Sequence, residues 1–319
     1  MNGLILIPDT YAHIYNSIGR YLNFFELLKN RLGFKILLCQ DCKIDSPEIQ
    51  KADVVIVFKS PEKGRLSLME SMSKLPKSKK LIVYFTDLHG GSSDTGNPKS
   101  NIPFRNKMIK MLDRADKILC PYDYFFRKHW SQYEDKYEFF PQFITPLRYF
   151  NSLKINDKPI MKCLLTGALY PPYYPLRILI DQQKSQYVET LVHPGYAARE
   201  GTEIKVGEDY VKELHKYFCG VATPSILDYI VAKYFEIPAT GSLLLAKHSP
   251  DLDKIGFIEN KHYIKIDKDN FFTILSDVLE NPRKYKNVRE EGRKFVFENH
   301  TDENRFNQLK QIIEELCIT

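Results

Sequence analysis

No apolar stretch of this chain reaches the roughly 18 residues of a membrane-spanning helix. The N-terminus, MNGLILIPDTYAH, lacks the basic region that opens a signal peptide and reads as a first strand, so the expected location is cytoplasmic. That strand runs into Pro8-Asp9-Thr10 with no glycine-rich fingerprint, which argues against a dinucleotide site at the first turn. Of six cysteines, Cys39 and Cys42 make the one CxxC, with no second pair to complete a zinc site. Lys43-Ile44-Asp45-Ser46-Pro47 does not open a helix as a redox motif would, so ordinary reduced thiols are expected. Charge of one sign is never gathered on one element. The net charge of +6 suits anionic ligands, but cations and acids are interspersed and Lys74–Lys80 is short, so no nucleic-acid footprint is expected. Asp251-Leu252-Asp253 has a D-x-D spacing but follows His248-Ser249-Pro250 in an expected loop, and Asp267-Lys268-Asp269 precedes a helix where acids favour the dipole. No metal site is assigned, and no side chain stands out as an enzymatic nucleophile.

What is present is a strand-helix rhythm in a 319-residue chain, long enough for two domains. Residues 4–7, 35–39, 53–58, 80–85 and 117–120 are short apolar runs separated by helix-length segments, which predicts a parallel, doubly wound sheet. The segment 15–32 is amphipathic through Ile18, Leu22, Phe25 and Leu28 and stops at Gly33. A last strand is expected over 137–143. Pro141, Pro146, the polar run 151–158 and Pro159 then mark a domain boundary, where a cleft is expected. The rhythm restarts with strands at 160–165 and 187–192. Helices follow at 271–280 and 283–298, and Thr301 caps a final helix whose apolar face carries Phe306, Leu309, Ile312, Ile313 and Leu316.

The stretch from Gly220 to Ala246, GVATPSILDYIVAKYFEIPATGSLLLA, reads as strand, Thr223-Pro224-Ser225 turn, helix, Thr240-Gly241 stop and strand. In a parallel sheet, ligands bind at the carboxyl ends of strands, so this turn and helix lie where a phosphorylated ligand would sit. Asp228 and Glu236, roughly two turns apart on the expected helix, face nearly the same side. Taken singly, Asp228 also reads as a helix N-cap. Glu236 sits in an apolar run and needs a reason to be there. The turn after 160–165 holds Gly167, which permits close approach of a ligand, and Arg177 supplies a fixed positive charge for a diphosphate, or else a surface ion pair. His193-Pro194-Gly195-Tyr196 ends the next strand and is placed to hold a base, with Tyr196 as a stacking face or as packing. In the first half, Asp87 and His89 fall at a strand's carboxyl end and run into the glycine-rich loop 90–97, an acceptor lid or a plain connection.

The run Pro224-Ser225-x-x-Asp228-x7-Glu236-x3-Thr240-Gly241 resembles the donor-site signature of GT-B glycosyltransferases of family 4, P-S-x-x-E-x7-E-A-x-x-x-G. Lys233 to Leu245 resembles the K-x-F-E-I-P-A-x-G variant of the spore-protein-like group among them. The similarity continues through Asp251–Gly256 and His300-Thr301 to Arg305, covering most of 160–310; the first half matches only in rhythm. Asp228 replaces the first glutamate, and Tyr229-Ile230-Val231 replaces a Gly-x-Gly that brings backbone amides to the diphosphate. The family places an Arg just after the glycine at 167, where this chain has Ala168, so Arg177 acts alone or shares the task with Lys233. The resemblance implies a GT-B fold, two Rossmann-like α/β domains facing across a cleft: an acceptor-side domain over 1–150, a donor-binding domain over 151–300 and a helix over 301–319 crossing back. It implies that Glu236 grips the ribose diol, Asp228 reaches the donor sugar and His89 touches the donor sugar and lies near the acceptor. Ser225, Thr240, Gly241, Lys233, Gly167, His193 and Tyr196 complete the donor site.

The implied activity is transfer of a sugar from a UDP- or GDP-linked donor to an acceptor hydroxyl, retaining and metal-independent, with the nucleotide-sugar as substrate and no further cofactor. The acceptor is a glycan, protein or lipid-linked molecule, with peripheral membrane contact left open and no nucleic acid. The competing reading is a nucleotide-sugar or phospholigand-binding protein of the same fold without turnover; epimerase or phosphorylase chemistry is a third.

Overall fold

The computed structural model describes residues 1–7, 18–38, 43–59, 66–85, 102–146, 150–191 and 207–318. They form two compact units. The first holds the N-terminal strand, Tyr21–Phe140 and the last helix from Arg305 on; the second holds Pro141–Asn304 together with residues 18–20.

The first unit carries a six-stranded sheet of β1 (Gly3–Ile7), β2 (Lys35–Leu38), β3 (Val54–Lys59), β4 (Lys80–Phe85), β5 (Lys117–Cys120) and β6 (Tyr137–Phe139), in the spatial order β2-β1-β3-β4-β5-β6. Every pairing is parallel. Runs such as Val54–Phe58 and Leu81–Tyr84 are buried at every position, because helices cover both faces of such a sheet and leave no strand side for water. The helix Ile18–Leu32 ends at Gly33, whose φ of +70° supplies the left-handed stop that the glycine predicted. Its Phe24 and Phe25 meet Phe58 edge-on or tilted, and Tyr84 and Phe140 extend the aromatic core.

The second unit carries a five-stranded parallel sheet of β7 (Ile160–Thr166), β8 (Val188–Leu191), β9 (Tyr217–Ala222), β10 (Leu243–Ala246) and β11 (Ile264–Lys265), ordered β11-β10-β9-β7-β8. Alternate residues divide between two cores. Leu164, Ala222 and Leu244 face one, while Leu165, Val221 and Leu245 face the other, as the two-residue period of a strand requires. The helix Asp302–Ile318 starts at a reciprocal cap: Thr301 Oγ1 accepts the Asn304 amide at 3.3 Å and Asn304 Oδ1 accepts the Thr301 amide at 2.9 Å. From Arg305 on, that helix belongs to the first unit, where Gln308 Nε2 donates to Phe139 O at 2.8 Å. No described helix is long and apolar enough to cross a membrane.

Two local expectations are corrected. Asp251 and Asp253 lie in the short helix Pro250–Ile255 rather than in a loop, because Pro250 is a ready first helical residue. The helix expected to hold both Asp228 and Glu236 spans only Lys233–Ala239. Asp228 precedes it in a turn with φ of +58°, donating its amide to Ser225 O at 3.0 Å. The N-cap position of that helix is Ala232, four residues further on, so the N-cap reading of Asp228 fails as well.

Candidate functional site

The register of the second sheet builds the site. Leu165 of β7 pairs with Val221 of β9, so two residues further on Gly167 and Thr223 leave the carboxyl edge of neighbouring strands at the same level. Gly167 has φ of +99°, and a Cβ on it would lie 2.7 Å from both Arg177 Nη1 and Lys233 Nζ. The two cationic nitrogens are therefore at most twice that distance apart, and they meet over a backbone that only glycine leaves open.

Pro175 starts the helix Pro175–Gln182, and its third residue is Arg177. Arg177 is 2% exposed. Its Nε donates to Thr223 Oγ1 at 3.0 Å and its Nη2 to Thr223 O at 2.9 Å, while the Tyr174 ring lies 3.8 Å from the guanidinium carbon. Burial lowers its pKa, and Tyr174, Tyr234 and Tyr210 oppose that shift. The alternative reading of Arg177 as a surface ion pair is thus overturned by burial: among the described residues no carboxylate pairs with it.

Lys233 opens its helix half-buried. Burial first, and then the neighbouring Arg177, press its ammonium down to about 7 against the pull of Glu236 one turn on. Two cations thus share a desolvated corner without a carboxylate paired to either among the described residues, a costly arrangement unless an anion completes it. Tyr210 OH and Thr166 Oγ1 close another side at 3.0 Å, and Tyr234 OH donates to Lys247 O at 2.7 Å.

The remaining expected residues separate into three groups. Glu236 is half-buried on the helix that carries Lys233, and half-buried Asp228 sits in the turn before it, with its carbonyl accepting from Ser249 Oγ at 3.1 Å. Ser225, Thr240 and Gly241 each take part in a hydrogen bond within the chain. Ser225 Oγ accepts the Leu227 amide at 3.1 Å. Thr240 Oγ1 donates to Ile237 O at 2.7 Å, and the Gly241 carbonyl accepts Arg289 Nε at 2.8 Å. A buried hydroxyl takes the nearest partner, and here the helix end offers one. His89, His193, Tyr196, Cys39 and Cys42 lie outside the described residues.

Sequence reasoning passed over Tyr174, Tyr210 and the part played by Thr223. The available signal was Tyr174-Pro175-x-Arg177, a proline-started helix that presents an aromatic and a cation from its first turn.

The two parallel-sheet units have the GT-B fold of solved glycosyltransferases. An alpha-glucosyltransferase in complex with UDP-glucose and DNA containing an abasic site superposes with a TM-score of 0.65, at 11% identity over 98% of this chain and 99% of that one. The sucrose-phosphate synthase of Thermosynechococcus elongatus gives 0.68, at 10% identity over 100% and 99%. An Anabaena protein in complex with UDP and glucose gives 0.62, at 9% identity over 99% and 100%. At the level of sequence, residues 190–311 match the family model described as glycosyl transferase-like. That stretch contains Asp228, Lys233 and Glu236 but neither Gly167 nor Arg177. No curated protein matches the chain in sequence.

Proposed function

We propose that this protein is a glycosyltransferase that takes its sugar from a UDP- or GDP-linked donor and transfers it to an acceptor hydroxyl with retained configuration and without a metal. The observation that carries the reading is the meeting of buried Arg177 and half-buried Lys233, ion-paired to no carboxylate among the described residues, over the open backbone of Gly167. A diphosphate is the anion whose size and charge suit two adjacent cations, and guanidinium and ammonium serve it differently: one as a planar fork, the other as a point charge. In the reaction the bond between the anomeric carbon and the β-phosphate oxygen breaks, the acceptor oxygen bonds to that carbon, and the acceptor proton passes to the departing phosphate. Arg177 and Lys233 stabilise the charge that develops on the leaving group, which is where fixed electrostatics contribute most. In this reading Glu236 accepts from the ribose hydroxyls, Asp228 reaches the sugar, and His89 stands beside donor and acceptor; His193 and Tyr196 hold the base. The likeness to structures holding UDP, UDP-glucose or UDP and glucose supports this assignment.

A second reading is binding without turnover. It is favoured by buried Tyr229 and half-buried Val231, which stand where the resembled signature has glycines. Thermal-shift measurements with UDP, GDP and ADP test the shared part: a ligand at a hundred times its Kd stabilises the fold by about 2.7 kcal/mol. Stabilisation by UDP or GDP that vanishes in Arg177→Ala is expected. Donor consumption over a panel of glycan, peptide, lipid-linked and DNA acceptors then separates the readings, and binding with no consumption on any acceptor would favour the second.

A further inference from the structure

Beside the cradle stands an aromatic surface that the diphosphate reading does not use. Tyr170 follows Gly167 by three residues and is 66% exposed, more than any other large aromatic ring among the described residues. Tyr173 stacks on it with centroids 5.9 Å apart and planes 27° from parallel. The turn is closed by Tyr173 N donating to Tyr170 O at 2.9 Å, and Pro171 and Pro172 between them fix their own φ. It is also tied across to the Asp228 turn, because Ile226 N donates to Tyr173 O at 2.9 Å; Ile226 is itself 48% exposed. Tyr174, next in the chain, holds the Arg177 guanidinium. Two exposed apolar side chains therefore sit on the two loops that carry the cradle, on backbone that is already fixed, so that a ligand landing there meets little further ordering cost.

We infer that Tyr170 and Tyr173 form a stacking platform for a saccharide acceptor, an inference that rests on the transferase reading and specifies its substrate class. A pyranose offers a C–H face to an aromatic ring and hydroxyls at its rim, and a tyrosine offers the matching apolar face and polar edge. An acyl chain asks for an apolar trough, whereas this surface is one pair of rings and one isoleucine. A peptide hydroxyl needs no ring face at all.

The test uses the full chain on an array of immobilised oligosaccharides with UDP or GDP present, alongside titrations of the same nucleotides. Wild type and Tyr170→Phe are expected to bind at least one class of oligosaccharide, and Tyr170→Ala to lose about tenfold or more, equivalent to about 1.4 kcal/mol, with its nucleotide affinity unchanged. Tyr187→Ala, which removes a 50% exposed ring elsewhere in the second unit, should bind like wild type. Oligosaccharide binding by Tyr170→Ala equal to wild type, or none by wild type, overturns the inference. So does a loss of nucleotide affinity in Tyr170→Ala, which would place the base on the ring. Failure of wild type to bind any nucleotide instead strikes the transferase reading, and the array reads the platform independently of it.

Discussion

Arg177 and Lys233 respond differently to the same desolvated corner. A guanidinium stays charged there, but an ammonium held near 7 is close to half neutral at physiological pH. A bound diphosphate raises that pKa, so binding takes up no proton below about 7 and one proton above it. Nucleoside diphosphate affinity should therefore fall by up to about tenfold per pH unit above 7 until the raised value is passed. Calorimetric titration between pH 6 and 9 checks this, and Lys233→Arg should flatten the profile. Gly167 is the other sensitive position. Gly167→Ala puts a methyl 2.7 Å from both cations and forces a left-handed alanine. It should weaken nucleotide binding roughly tenfold or more, about 1.4 kcal/mol, and lower stability by about 1–2 kcal/mol. Binding and urea unfolding measured together separate the two effects. Gly167 and Arg177 were legible as candidates because they follow the carboxyl end of a parallel strand, and Lys233 through the motif that carries the family resemblance. Tyr174 and Tyr210 were not, since an aromatic near a turn looks the same whether it packs or orients a cation.

At the level of elements, the helix Lys233–Ala239 is short at both ends for identifiable reasons. Tyr229 and Ile230 are buried as loop residues after the left-handed Asp228, so an apolar run that reads as helix by composition is held by tertiary packing instead. At its other end Arg289 and Arg293, both from the helix Lys286–Asn299, donate to the carbonyls of Gly241 and Ala239, placing cations where the helix dipole is negative. No local pattern around 233–239 announces partners fifty residues away. The opposite holds for the last helix, whose cap is local and was read from Thr301 directly. Thr301→Ala should lower stability by about 1 kcal/mol, seen as a lower urea midpoint, while Thr301→Ser should retain most of it.

At the level of the molecule, two parallel sheets were readable because buried strands are near-continuous apolar runs and the helices between them recur at regular spacing. The cradle is less visible, since it draws Gly167 and Arg177 from one end of the second unit and Lys233 from the glycosyl transferase-like stretch, joined only by the β7–β9 register. Strand order is what makes these distant segments neighbours, and order is the part of a doubly wound sheet that spacing along the chain leaves open. The central claim is that this corner holds a diphosphate. The most direct test titrates UDP, GDP and their parent nucleosides calorimetrically into wild type and Arg177→Ala. The account predicts that one diphosphate binds wild type at least a hundredfold tighter than its nucleoside, roughly 2.7 kcal/mol, and that the gap collapses in the variant. A nucleoside that binds as tightly as its diphosphate, or a gap that survives loss of Arg177, would contradict it.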